Sequence, residues 1–158
     1  MRSNGTMYLP VTGDIPFGQS FAAVTAPTDT ATNTLLTKTI NGALLGPNGA
    51  MLLTCNFQHT NNANAKTVRV TFGGTTIIST SMASAGSSGF VVEIGNRNSA
   101  SSQFGGFVTY RSGTPTTLYA TAAINTANDA NLVIDITKAT GSDSFIMDAW
   151  ALQLAPAP

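Results

Sequence analysis

Strict alternation of apolar and polar residues is the feature that most constrains the fold of this chain. Between residues 51 and 58, Met51, Leu53, Cys55 and Phe57 fall on one face of an extended segment, and mostly polar residues fall on the other. A period of two is typical of a half-buried β-strand, because successive side chains of a strand point to opposite faces. The same period recurs in later segments, and none longer than a turn has a helical period. The sequence therefore predicts an all-β protein.

Turn-forming residues divide the chain from residue 34 onward into short strands. Strands are predicted at 34–40, 51–58, 67–72, 75–80, 90–94, 104–110, 118–124, 132–137 and 145–154. Gly73-Gly74 predicts a tight hairpin, and Gly105-Gly106 predicts a bulge within its strand. The last strand changes phase between Met147 and Trp150, which predicts a bulge near Asp148-Ala149.

Eight or nine antiparallel strands of this spacing indicate an antiparallel two-sheet β-sandwich. A jelly-roll-like topology fits best, because the loops differ in length and are not the uniform short links of an up-and-down barrel. An immunoglobulin-like topology is the alternative, although its Cys-Trp-Cys signature is missing from a chain with one cysteine. We expect the sandwich to span residues 34–158.

Residues 1–33 have a different character from the rest, with three prolines and apolar residues that follow neither a strand nor a helix period. We expect an extended N-terminal arm that lies along a neighbouring subunit, and an ordinary disordered leader is the alternative. The candidate interface anchors of this arm are its apolar residues Tyr8, Leu9, Val11, Ile15, Phe17 and Phe21.

Charged residues make up only 9% of the chain, and the formal net charge is zero. Soluble domains carry about 25% charged residues, which keep their exposed faces apart in solution. Here Thr, Ser, Asn and Gly take that place, so we expect much of the surface to be covered in the working state. Ordinary secreted β proteins also carry Thr-rich strands, which is the alternative explanation.

Several classes of partner are disfavoured by the sequence. The seven basic residues are dispersed, with Lys66 and Arg69 as the nearest pair, whereas nucleic-acid binding needs a basic cluster. No segment approaches the roughly 20 apolar residues of a membrane span, and the N-terminus lacks the apolar region of a signal peptide. The single cysteine allows no intrachain disulfide. We therefore expect no nucleic acid and no membrane partner, and synthesis in a reducing cytoplasm.

No catalytic or metal site is predicted. Cys55 and the only histidine, His59, lie four residues apart, which on a strand is about 13 Å and too far for a nucleophile–base pair. We expect Cys55 in the core and His59 at a strand end. Asn128-Asp129 with Asn131 could offer oxygens to calcium, but an Asx turn explains them better. The expectation is that the protein is not an enzyme and has no cofactor, metal or small-molecule substrate.

Carbohydrate binding is the alternative function that the sequence leaves open. Such sites use exposed aromatic faces with polar rims. The candidates are Tyr110 and Tyr119, since the phase of Trp150 with Leu152 and Leu154 predicts a core position for the tryptophan.

Two stretches resemble a known group of proteins. The segment from Gly42 to Leu53 contains a Gly-Pro-Asn-Gly turn followed by a strand, and the segment from Asn61 to Gly74 contains an Asn-rich loop, Lys-Thr-Val-Arg-Val and a Gly-Gly hairpin. The ending fits the same group, with Asn131-Leu-Val-Ile-Asp-Ile followed by Asp148-Ala-Trp-Ala-Leu-Gln-Leu. Together these segments resemble small jelly-roll structural proteins of tailed bacteriophages, which serve as capsid decoration (cement) proteins or as tail-fibre and head-fibre domains.

The resemblance implies a virion structural protein on the capsid surface, made in the host cytoplasm. It would stabilise the phage head by binding across capsid subunits, with the major capsid protein and copies of itself as partners and a trimer as the favoured homo-oligomer. The alternative that it implies is a fibre domain that binds a receptor glycan.

Overall fold

A computed structural model describes residues 15–84, 86–111 and 114–155, with residues 15–16, 107–111 and 114–118 described through their backbone alone. The regular structure within these ranges consists of eleven β-strands. They are β1 Ile15–Ser20, β2 Val24–Thr25, β3 Asn33–Ile40, β4 Ala50–His59, β5 Lys66–Phe72, β6 Thr75–Met82, β7 Ser87–Asn96, β8 Gln103–Arg111, β9 Thr114–Ala122, β10 Ala130–Lys138 and β11 Phe145–Ala155. No helix that could cross a bilayer occurs in the described ranges.

The strands form two antiparallel sheets that pack face to face. The larger has seven strands in the order β1-β11-β4-β7-β8-β9, with β2 paired to β11, and the smaller has the order β3-β10-β5-β6. The chain crosses repeatedly between the sheets, which is the arrangement of a jelly-roll-like sandwich. The predicted fold class is confirmed, and the nine strands predicted from residue 34 onward correspond to β3 to β11.

The first two strands fall inside the segment predicted as an extended arm. β1 pairs with β11 from Ile15 opposite Leu154 to Ser20 opposite Trp150, and Phe17 is half-buried against the core. Phe21 is 78% exposed. The anchors Tyr8, Leu9 and Val11 lie outside the described residues, and for Ile15 only the backbone is described. Attachment of this segment to a neighbouring subunit stays a prediction.

Inward-facing residues of both sheets form one apolar core. Its aromatic centre is Phe57, whose ring lies 5.2 Å from that of Phe90 and 5.3 Å from that of Phe145, centroid to centroid. Cys55 is buried beside them, as the alternation predicts, and Trp150 is half-buried and packs against the core. Since an aromatic side chain buries 150–250 Å² or so, this cluster contributes a large share of the hydrophobic stabilisation.

The three glycine and bulge predictions have different outcomes. The register of β11 against β4 shifts between Met147 and Ala149, so the predicted bulge is confirmed. Gly73 and Gly74 form the β5–β6 hairpin with φ of 53° and 79°, as expected for a tight turn. The bulge predicted at Gly105-Gly106 is wrong, because β8 keeps an unbroken register with both neighbours.

Close packing between the sheets explains the glycine at position 105. A Cβ atom at Gly105 would lie 2.6 Å from Cγ2 of Ile77, which projects from β6 of the other sheet. Nothing lies within 4 Å of a Cβ built on Gly106. The first glycine therefore permits close approach of the sheets, and the second is not required by packing.

Candidate functional site

An open groove of about 660 Å³ lies on the outer face of the seven-stranded sheet, across β4, β7 and the bulge of β11. Ligand sites in proteins commonly have volumes of roughly 300–1,000 Å³. Its lining consists of Thr54, Cys55, Asn56, Phe57, Gln58, Gly86, Ser87, Ser88, Gly89, Phe90, Val91 and Asp148. This outer groove is the candidate functional site.

The alternation of β4 and β7 builds the outer groove directly. Residues in one phase, such as Cys55 and Phe90, are buried in the core and hold the floor in place. Residues in the other phase point outward, and Asn56 of β4 faces Gly89 of β7 in the register. A Cβ atom on Gly89 would lie 3.0 Å from Oδ1 of Asn56. The absence of a side chain at Gly89 therefore leaves the Asn56 amide accessible in the groove.

The polar groups of the outer groove are side-chain amides, hydroxyls and one carboxylate. Nε2 of Gln58 donates a hydrogen bond to Oδ1 of Asp148 at 3.2 Å. The bulge of β11 at Asp148 brings this carboxylate beside β4. Asp148 is the only charged residue among the described lining. The groove therefore offers hydrogen-bond donors and acceptors to an uncharged polar molecule, and its described lining includes no basic group for an anion.

The structure separates the two predicted glycan candidates. Tyr110 pairs with Gly89 in the register of β8 against β7, so its backbone lies beside the outer groove. Its side chain is outside the described part. Tyr119 is 64% exposed and stacks on Phe104 with ring centroids 6.5 Å apart. It pairs with Gly106, and Gly106 pairs with Glu93. Tyr110 is therefore level with Gly89 of β7, and Tyr119 is level with Glu93, four residues further along the same strand. Four residues of a strand span about 13 Å, which is the distance between the two tyrosine positions along the strand direction.

The two residues weighed for nucleophilic catalysis have structural roles. Burial raises the pKa of the Cys55 thiol well above its ordinary value, so the thiol is protonated at neutral pH. Nε2 of His59 lies 3.0 Å from Oγ of Ser88, and the imidazole stacks on Phe145 at 5.9 Å. Both residues belong to the inner face beneath the outer groove.

The residues weighed for calcium binding have structural hydrogen bonds: Asp129 joins two loops, and Asn131 joins the paired strands β10 and β3. Oδ1 of Asp129 accepts a hydrogen bond from the backbone N–H of Gly42 at 2.7 Å, and Oδ1 of Asn131 accepts one from the Thr39 hydroxyl at 2.9 Å. Within the described residues, no group of three or more His, Cys, Asp or Glu side chains could hold a metal ion.

A second polar cluster, which the sequence analysis missed, lies at one end of the sandwich. Lys66 and Lys138 are adjacent on β5 and β10 and are 0% and 1% exposed. Lys66 Nζ contacts Oδ1 of Asn62 and donates to the carbonyl of Asn64 at 2.9 Å, and it lies 3.4 Å from Oδ2 of Asp143. We call Lys66, Asn62, Asn64 and Asp143 the Lys66 cluster.

Because of this burial, Lys66 and Arg69, the nearest pair of basic residues in the sequence, do not share a basic surface patch. Arg69 reaches outward and pairs with Asp135 at 2.9 Å, whereas Lys66 points into the protein. The hydrogen bond from Asn62 lowers the pKa of Asp143 below its ordinary value; burial opposes this, and the positive charge of Lys66 adds to the lowering. Asp143 is therefore ionised at neutral pH. A signal was present in the sequence, because Lys66 continues the phase of Val68 and Val70.

No protein-family model matches the chain, and no curated protein matches it. Similar solved structures include the EclA C-terminal domain, described as a sugar-binding protein, with 16% identity, 84% of this chain and 78% of that chain covered, and a TM-score of 0.46. A seed lectin of Lotus tetragonolobus has 11% identity, 86% and 89% coverage, and a TM-score of 0.49. Lectin II from Ulex europaeus has 8% identity, 89% and 95% coverage, and a TM-score of 0.43.

These solved structures are named as sugar-binding or lectin domains. At such identities and TM-scores, the likeness carries no argument about what this chain binds. The predicted resemblance to phage structural proteins stays a prediction.

Proposed function

We propose that this protein is a carbohydrate-binding domain that holds a neutral saccharide in the outer groove. The observation that supports this is the lining itself, which presents amides, hydroxyls and a single carboxylate on a rigid sheet face with no basic residue among the described lining. Hydroxyl-rich sugars need paired donors and acceptors, and side-chain amides supply both from one group.

Each polar residue has a defined role in this proposal. Asn56 and Gln58 lie two residues apart on β4 and project to the same face, so their amides can bind hydroxyl groups of one sugar ring. Asp148 accepts the Gln58 hydrogen bond and fixes the orientation of that amide. Tyr110, registered against Gly89, is the candidate for stacking on the sugar.

The test is a glycan array with the purified chain, followed by calorimetric titration of the best ligand. Asn56→Ala and Gln58→Ala should each weaken binding about tenfold, because losing one or two good hydrogen bonds costs about 1–2 kcal/mol. Both side chains are exposed, so both variants should fold. Tyr110→Ala should also weaken binding.

Tyr119→Ala is the matched control, because it removes an exposed tyrosine from the same sheet away from the outer groove. Its affinity should equal that of the parent chain. If Tyr119→Ala abolishes binding while the two β4 variants do not affect it, the ligand binds at the Phe104–Tyr119 pair and the proposal for the groove is wrong. Absence of any glycan ligand would also contradict it.

A second candidate function is the assembly subunit, in the form of the predicted capsid decoration protein. The specific observation is β6, an edge strand of the four-stranded sheet that contains no charged residue and no proline from Thr75 to Met82. Soluble proteins usually protect an edge strand with charges, prolines or bulges, since an open edge pairs with other chains. Of these protections, β6 has a bulge at Ile77, where its register against β5 shifts, but neither of the other two. We propose that this edge is covered by another subunit in the working state.

Ser79→Lys and Ser81→Lys test this second candidate, because both serines are exposed on β6. Sedimentation velocity should show oligomers of the parent chain and monomers of the variants, and binding to phage heads should be lost in the variants. Thr37→Lys, at an exposed position of the opposite edge strand β3, is the control. A parent chain that stays monomeric at high concentration and does not bind heads would contradict this candidate.

A further inference from the structure

We infer that Lys66 and Asn62 form an intramolecular isopeptide bond in the folded chain, with Asp143 carrying the protons that the reaction moves. The Lys66 cluster places a nucleophile, an acyl group, a donor for the developing oxyanion and a proton carrier in mutual contact. The cluster consists of Lys66 on β5 and three loop residues, none of which lines the outer groove. The inference is therefore independent of both proposed functions.

The nucleophile and the electrophile touch each other. Lys66 is fully buried, and its Nζ contacts the side-chain oxygen of Asn62, whose carbon Cγ is one bond further away. Four residues separate the two along the chain, so the link would close a small ring within the β4–β5 loop. Holding two reactants in contact removes the entropic cost of bringing them together, which is a large part of the barrier to a bimolecular reaction.

The acyl group of Asn62 is polarised in the direction that attack requires. The backbone N–H of Asn64 donates a hydrogen bond to Oδ1 of Asn62 at 3.1 Å. When an amine adds to Cγ, negative charge develops on this oxygen, and a fixed N–H donor stabilises that charge. The same oxygen also receives the contact from Lys66.

Asp143 bridges the nitrogen that must lose protons and the nitrogen that must gain them. Its Oδ1 accepts a hydrogen bond from Nδ2 of Asn62, the leaving nitrogen, at 2.8 Å. Its Oδ2 lies 3.4 Å from Lys66 Nζ and is the one buried side-chain oxygen or nitrogen in the described residues that has no hydrogen-bond partner. A carboxylate in this position can take a proton from one nitrogen and deliver it to the other.

The reaction balances without any added reactant. The Lys66 ammonium gives one proton to Asp143, and the resulting amine forms the Nζ–Cγ bond. A second Nζ proton then moves to Nδ2, and the Cγ–Nδ2 bond breaks to release ammonia. Ammonia takes the proton held by Asp143 and leaves as ammonium, so the net change is the conversion of one ammonium side chain and one amide into a secondary amide and a free ammonium ion.

Lys138 provides an internal comparison. It is as deeply buried as Lys66 and lies beside it, but its Nζ donates to three backbone carbonyls, those of Pro27, Gly141 and Asp143, at 2.7–3.1 Å. Among the described residues, the hydrogen-bond partners of its amine are these backbone carbonyls, and a side-chain amide or carboxyl group that could be acylated is not among them. We therefore expect Lys138 to keep its free amine.

The test is the intact mass of the purified parent chain under denaturing conditions. The expected mass is lower than the sequence mass by one ammonia molecule, after any removal of the initiator methionine. Tryptic digestion should fail to cut after Lys66, and fragmentation of that peptide should show the Asn62–Lys66 link. A parent chain that has the full sequence mass overturns the inference, and this measurement does not depend on the folding of any variant.

Three variants separate the bond from other losses of ammonia. Lys66→Arg keeps the positive charge but removes the nucleophile, so it should have the full mass. If Lys66→Arg shows the same deficit, Asn62 has closed on its own backbone and the inference is wrong. Lys138→Arg is the matched control and should show the deficit of the parent.

Asp143→Asn tests the proton carrier. It should retain its ammonia, because an amide cannot shuttle the protons. Complete cross-linking in Asp143→Asn would contradict the role given to Asp143. A deficit of one water in the parent, with a link between Lys66 and Asp143, would overturn the choice of Asn62 as the acyl group.

Discussion

Replacement of Lys138 by methionine tests whether the buried ammonium groups hold the end of the sandwich together. Methionine fills a similar volume but leaves three carbonyl oxygens, on Pro27, Gly141 and Asp143, without their donor. Pro27 belongs to the connection between β2 and β3, and the other two belong to the connection between β10 and β11. One lysine thus joins two loops that are far apart in sequence.

The expected loss follows from the number of bonds. A buried hydrogen-bonding group left without its partner costs about 1–3 kcal/mol. The lower end of that range applies because only the bond to Asp143 is fully buried, the other two being part-buried, and because methionine avoids the cost of burying a charge. Three acceptors therefore give a loss of about 3 kcal/mol in the free energy of unfolding. For an urea m-value of about 2 kcal/mol/M, the unfolding midpoint should fall by about 1.5 M.

Equilibrium unfolding in urea, followed by circular dichroism, measures this change. Lys38→Met is the matched control, because Lys38 is half-buried and its Nζ lies 4.9 Å from the centroid of the Phe17 ring. A cation–π contact at an exposed site contributes about 0.5–1 kcal/mol, so this control should lose less than about 1 kcal/mol. Equal losses in the two variants, or a loss below 1 kcal/mol for Lys138→Met, would refute the reasoning.

Three further predictions concern other parts of the molecule. Gly105→Ala should destabilise the fold by about 1–3 kcal/mol, because its Cβ would meet Ile77 at 2.6 Å, whereas Gly106→Ala should leave the thermal midpoint nearly unchanged; equal midpoints for the two would contradict the packing argument. Cys55 should not react with a thiol reagent in the native chain at pH 8 and should react at once in urea, because burial raises its pKa. Above its unfolded pKa of about 8.5, the thiol ionises in the unfolded chain but not in the folded one, so the free energy of unfolding of the parent falls as the pH rises. A Cys55→Ala variant has no such thiol and should lose less stability than the parent between pH 8 and 10. While Asn62 keeps its amide, the hydrogen bond from that amide lowers the pKa of Asp143, so the contribution of Asp143 is present at neutral pH and is lost as the pH falls below about 4. The test uses the Lys66→Arg background, in which the isopeptide bond cannot form: adding Asp143→Asn should flatten the stability profile in acid, and parallel profiles with and without Asp143→Asn would count against the Asn62 hydrogen bond.

Local periodicity was sufficient to predict β3 to β11 and their inward faces, but not β1 and β2, which lie in the segment predicted as an extended arm. The phase change that predicts the bulge in β11 is visible in the sequence, because Phe145 and Met147 share one parity and Trp150 and Leu152 share the other. A pair of glycines within a strand, as at 105–106, can mark either a bulge or a close approach of backbone, and the sequence does not distinguish the two. Only the position of Ile77 on the opposite sheet explains the glycine at position 105, and that position depends on tertiary packing.

The buried lysines show how a general rule can override a correct local signal. Lys138 continues the inward phase of Ile134 and Ile136, and Lys66 continues that of Val68. Lysine is almost never fully buried without a partner, so the phase of Lys66 alone was not sufficient to predict its burial. The partners that make burial possible lie in distant loops, which alternation cannot locate.

The outer groove could not be predicted for the same reason. It requires β4 to lie between β7 and β11, and a neighbour order of this kind is set by the path of the chain between sheets. The sequence identified Tyr110 and Tyr119 as aromatic candidates. It did not predict that Tyr110 and Asn56 would both pair with Gly89, from opposite sides of β7.

The most direct test of the central claim is NMR titration of the labelled chain with the best neutral saccharide. The account predicts that the side-chain amide signals of Asn56 and Gln58 shift on binding, since both line the outer groove. The buried amides of Asn96 and Gln103, which are hydrogen-bonded inside the protein, should not shift. Saturable binding that leaves the Asn56 and Gln58 signals unmoved would contradict the account.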